Sequence, residues 1–89
     1  MTMEVVVVFP TTHLTLKAEK VFEREHIAHR TVMKPRKISS DCGLAIRIDE
    51  KDVERCREAA LTDNLKPVRF FREAAKGWEC FLQVEDHAN

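Results

Sequence analysis

The residue best suited to chemistry in this chain is Cys42, near the end of the run Lys34, Pro35, Arg36, Lys37, Ile38, Ser39, Ser40, Asp41, Cys42, Gly43. The run is too polar and too rich in small residues to be core, so it reads as a working loop. A cysteine reacts as its thiolate, and at an unperturbed pKa of ~8.5 only about 3% is ionised at pH 7. Half ionisation requires a local field worth ~2 kcal/mol, and an exposed helix N-terminus supplies only ~0.3–1 kcal/mol. The remainder is expected from Lys34, Arg36, Lys37 or a protonated His13, with Ser39 and Ser40 donating hydrogen bonds to the sulfur and Asp41 opposing them. Gly43 is expected to let the backbone turn tightly or approach a bound group, leaving its N–H free as a further donor. The chemistry also requires the Cys42 sulfur to be open to water.

Other chemistry-bearing residues have simpler readings. Cys56 falls on the apolar stripe of a helix and reads as core, and Cys80 alternates with Trp78 and Leu82 and reads as packing rather than as a resolving thiol. Three cysteines without CxxC spacing favour neither a disulfide framework nor a zinc site, so free thiols in a reducing, cytoplasmic compartment are expected. His26 and His29 lie near a helix end, where cationic side chains meet the helix dipole favourably, a better explanation than metal binding. No paired carboxylates, Ser-His-Asp set, Gly-rich phosphate loop or metal cluster accompanies Cys42. The chain therefore reads as a carrier or binding protein rather than an independent enzyme, with no cofactor or metal.

The elements that must position Cys42 follow from patterning. Val5 to Phe9 form a continuous β-branched run, as in a strand covered on both faces, and Pro10 ends it. Thr11 and Thr12 can cap a helix whose buried stripe is Leu14, Ala18, Val21 and Phe22. Thr31 to Met33 read as a short strand stopped by Pro35, and Leu44, Ile46 and Ile48 mark a third strand that should pair with residues 30 to 34. Asp49 caps a second helix with Val53, Cys56 and Ala60 inward, closed by Asp63, Asn64 and Pro67. Val68 to Arg72 form a fourth strand, and Trp78, Cys80, Leu82 and Val84 alternate in a C-terminal strand or hairpin.

The order βαββαβ is that of a ferredoxin-like two-layer α+β sandwich with an extra C-terminal strand. In that topology the first and second strands run the same way, so the 34–43 loop should lie beside Thr11, Thr12 and His13. The 89 residues are 44% apolar and 34% charged with a formal net charge of zero, which suits one globular domain and implies neither nucleic-acid nor membrane partners. No apolar run reaches the roughly 20 residues of a membrane span, and no signal peptide is evident. Trp78 and Phe81, near the open edge of a short sheet extension, read as core but could also cover a homodimer interface.

Two blocks carry a resemblance to a known family. The first is Phe9, Pro10, Thr11, Thr12, His13 with Lys17, Ala18, Glu19 and Lys20; the second is Pro35, Arg36, Ile38, Ser39, Ser40, Cys42, Gly43, Leu44, Ala45 and Arg47. Over about residues 5 to 72 the chain resembles the selenium/sulfur carrier protein-like family, leaving residues 73 to 89 as an extension packed on the same domain. Thr15 stands where an alanine is common in that family. The resemblance implies that Cys42 carries sulfur or selenium as a persulfide or perselenide. A cysteine desulfurase or related donor would load it, and an acceptor protein would take the cargo, by exchange between thiolates and persulfide sulfur. The rival reading is a non-catalytic adaptor module that holds a protein or small anion at the same edge, with Cys42 incidental.

Overall fold

A computed structural model describes residues 3–85. Its elements are β1 (Glu4–Val8), α1 (Thr12–Arg24), β2 (His29–Met33), β3 (Leu44–Asp49), α2 (Val53–Thr62), β4 (Val68–Ala74) and β5 (Gly77–Val84), with a 3-10 turn at Glu50–Asp52 before α2. The strands form one antiparallel sheet in the order β2-β3-β1-β4-β5, so the class is α+β. β1 and β2 both run antiparallel to β3 and therefore point the same way. Among the described residues no helix is long and apolar enough to cross a membrane.

β1 is central, and its valines are buried on both sides, as a continuous β-branched run requires. Val5 and Val7 join Ala18, Val21 and Phe22 of α1, Cys56, Ala59 and Ala60 of α2, Ile46, Ile48 and Phe70 in the main core. Both helices thus cover one face. Val6 and Val8 point to the other face, where no helix lies among the described residues; there Ile38 of the 34–43 loop packs on Val6, Val8, Ala45 and Phe71, flanked by Val32 and Trp78. Ile38 is as buried as the main core, which corrects the reading of the loop as wholly outside it.

The helix ends follow from local chemistry. Thr11 caps α1 by accepting the Leu14 N–H at 3.1 Å. Asp49 caps the 3-10 turn rather than α2 itself, accepting from Lys51 N–H at 2.9 Å. After each α-helix one residue turns left-handed, His26 at φ 58° and Asn64 at φ 55°, and the next residue bonds back to the helix: Ile27 N–H to Phe22 O at 2.8 Å, Leu65 N–H to Ala60 O at 2.9 Å. Ile27 and Leu65 are buried, the apolar contact that completes such a stop. His26 therefore closes α1 through its backbone rather than its charge. His29 lies in β2, with its ring edge-on to Phe22 and Nδ1 2.8 Å from Ile27 O.

β5 pairs with β4 along its length, but a bulge between Phe70 and Phe71 shifts the register. Cys80 lies opposite Phe71, so Trp78 and Cys80 face the loop side, whereas Leu82 and Val84 pack toward the helices. The expected single alternating stripe is thus split in two, because an extra residue reverses the phase of every later side chain. Cys80 is exposed, not packed as its spacing implied.

Candidate functional site

Cys42 lies where the 34–43 loop rejoins the sheet, two residues before Leu44 starts β3. The loop is clamped at its base by Lys34 N–H donating to Gly43 O at 2.8 Å and turns through Ile38 N–H to Pro35 O at 3.1 Å. Lys34 Nζ folds inward to donate to Ile38 O. From β4, Arg69 donates to Ser39 O at 2.6 Å. Ser40 ties the loop to the end of β1, its hydroxyl donating to Phe9 O and accepting from Cys42 N–H, each at 3.2 Å. With Ile38 seated under the sheet, these bonds fix the backbone that carries the sulfur.

The sulfur is only slightly exposed: Cys42 retains 2% of its accessible surface. This overturns the expectation of an atom open to water, because α1 closes over it. Thr15 Oγ1 lies 3.4 Å from Sγ and Thr12 Oγ1 3.6 Å, while Leu44 N–H donates to Sγ at 3.4 Å. Burial is the largest influence on the thiol and pushes its pKa up. Thr15, the Leu44 N–H, Thr12 and the Lys34 ammonium together outweigh it, so Cys42 is held below the ordinary cysteine value. The pocket is nearly closed but polar, the opposite of an inert hydrocarbon cage.

The residues expected around the sulfur separate into two groups. Thr12 and Lys34 act on it directly, and Ser40 does so through the Cys42 backbone rather than as a donor to sulfur. Ser39, Arg36, Lys37 and His13 have exposed side chains. His13 lines a shallow depression with Leu16, Lys17 and Lys20 on the outer side of α1, because one step along a helix turns a side chain by about 100° away from the Thr12 and Thr15 face. Gly43 does not need glycine's freedom: its φ is not left-handed, and a Cβ there would meet nothing within 4 Å. The free donor expected at Gly43 is supplied instead by Leu44.

Thr15 is the site residue missed from sequence. It is fully buried between Leu14 and the apolar stripe, and its hydroxyl also donates to Thr11 O at 3.0 Å. The signal available was its spacing, three residues after Thr12 on the same helix face.

A groove of about 430 Å³ runs along the loop, lined by Val8, Pro10, Ser39, Ser40, Asp41, Pro67, Arg69, Gln83 and Glu85, with Cys42 outside its lining. Among the described residues no three or more His, Cys, Asp or Glu side chains gather as metal ligands. Residues 4–72 match the family described as "Putative Se/S carrier protein-like". No curated protein and no solved structure matches the chain.

Proposed function

Because the chain belongs to the Putative Se/S carrier protein-like family, we propose that it holds sulfur or selenium on Cys42 between a donor and an acceptor. The observation that carries this reading is the surroundings of the sulfur: two hydroxyls, one backbone N–H and one ammonium that together favour negative charge. In loading, the Cys42 thiolate attacks the outer sulfur of a donor persulfide, R–S–SH. The new bond forms to Sγ, the donor S–S bond breaks, and R–S⁻ leaves, so Cys42 ends as Cys–S–SH with charge and atoms balanced. Unloading repeats the exchange with an acceptor thiolate attacking the outer sulfur. Selenium follows the same course with selenium as the outer atom.

The donor proposed is a cysteine desulfurase or related enzyme, and the setting proposed is the cytoplasm, where the chain's three unpaired cysteines would stay reduced. The sheet order supports a ferredoxin-like sandwich extended by β5; the carrier domain proposed is residues 5–72, with the 73–89 extension packed on the same domain. The adaptor reading, with Cys42 incidental, is favoured by a single observation, the near-complete burial of the sulfur.

Incubation with a cysteine desulfurase and cysteine, followed by intact and peptide mass spectrometry, separates the two. One added sulfur on the Cys42 peptide, absent in Cys42→Ser and retained in Cys56→Ala and Cys80→Ala, is the expected result. Sulfur that persists in Cys42→Ser rejects the site.

A further inference from the structure

A hydroxyl has one hydrogen, and at Thr15 it has two claimants. Thr15 Oγ1 is 3.0 Å from Thr11 O, which can only accept, and 3.4 Å from Cys42 Sγ. While Cys42 is a thiol, both contacts are satisfied in one way: the Thr15 hydroxyl donates to Thr11 O, and the S–H donates to Thr15 Oγ1. Sγ then accepts from Leu44 N–H and from Thr12, whose hydroxyl has no carbonyl partner among the described residues.

Ionisation breaks this arrangement. Once the S–H proton has left to water, the fully buried Thr15 Oγ1 would face the thiolate lone pair to lone pair. Rotation about the Cβ–Oγ bond removes the clash, turning the hydrogen from Thr11 O onto sulfur. Thr11 O is not abandoned, since it keeps the Thr15 N–H at 3.1 Å. No heavy atom need move.

We propose that Thr15 is a positioning residue for Cys42, its hydroxyl hydrogen resting on Thr11 O in the thiol state and turning to the sulfur in the thiolate state. This rests on the carrier reading for its purpose: the hydrogen serves the sulfur when it must be a nucleophile and returns to the helix once Sγ is bonded to its cargo. Lys34 is the charged group acting on the sulfur from the loop; α1 contributes Thr12 and Thr15, and β3 the Leu44 N–H, all uncharged.

The test is the titration of Cys42 by ultraviolet thiolate absorbance in a Cys80→Ala background, where Cys56 stays protonated until about 12 and leaves the window clear. Thr15→Val keeps the shape and removes the hydroxyl, so the midpoint should rise, and Thr15→Ser should return it toward wild type. Alkylation by iodoacetamide at pH 7 should slow about threefold in the valine variant, a tenfold loss of thiolate being offset about threefold by its greater nucleophilicity. Titrations of Thr15→Val and wild type that superimpose overturn the proposal, as does a folded Thr15→Ser that titrates like valine. Thr15→Ala, which a helix accepts readily, gives the same reading if valine prevents folding. Desulfurase loading is scored separately, so wild type that takes no sulfur while its titration still depends on Thr15 removes the carrier reading and leaves the hydroxyl's role supported.

Discussion

Cys42 and Cys56 are both buried, yet their surroundings drive them in opposite directions. Around Cys56 burial dominates and Asp52 adds to it, lifting the thiol to about 12; around Cys42 hydrogen bonds and Lys34 reverse the effect of burial. Stability should follow from this. The unfolded chain releases the Cys56 proton near the ordinary value while the folded chain holds it, so folding is favoured below that value and loses support as pH rises toward 12. Cys42 has the opposite sign and adds no slope above the ordinary value, where it is ionised in both states. Urea unfolding between pH 9 and 11 should show wild type losing stability by up to about 1.4 kcal/mol per unit more than Cys56→Ala, and equal slopes would refute the assignment. At this scale the sequence exposed Cys42 and Thr12 because a cysteine in a polar run and a threonine at a helix start each have few roles. Thr15 stayed hidden because its value lies in a contact 27 positions away.

The element that departs most from expectation is the 34–43 loop. One isoleucine among polar neighbours has no periodicity to announce it, yet Ile38 is the only residue of that loop in the small core beneath the sheet. Ile38→Ala should destabilise the protein by ~2–5 kcal/mol in urea unfolding, against less than ~0.5 kcal/mol for the exposed Arg36→Ala, and equal effects would show that the loop is not seated. The bulge between Phe70 and Phe71 was equally silent in the sequence, since alternation over 78–84 reads the same whether the strand is regular or slipped. The strands themselves were legible from β-branched runs and the helices from their stripes, with β2 starting two residues earlier than its apolar core and β4 continuing two residues further.

For the whole molecule, the family match ends at residue 72, whereas the sheet continues through β5. Val84 enters the main core and Trp78 flanks the second one, so β5 is part of the packing on both faces. A chain truncated after Ala75 should lose the cooperative thermal transition seen by circular dichroism and elute as associated species in size-exclusion chromatography, because the full edge of β4 would lie open. A monomeric truncation that melts cooperatively would show residues 4–72 to be self-sufficient.

The shelter over Cys42 has a kinetic side. A sulfur that is electronically ready but walled in by the first turns of a helix meets a partner only when that wall parts, so readiness and access are governed by different parts of the fold. Small reagents and thiols would reach the sulfur only during brief openings of the loop, whereas a protein that binds the edge and draws the loop outward would hold it open. Selectivity would then lie in the act of opening, with Ile38 as the anchor that sets how seldom it happens unaided.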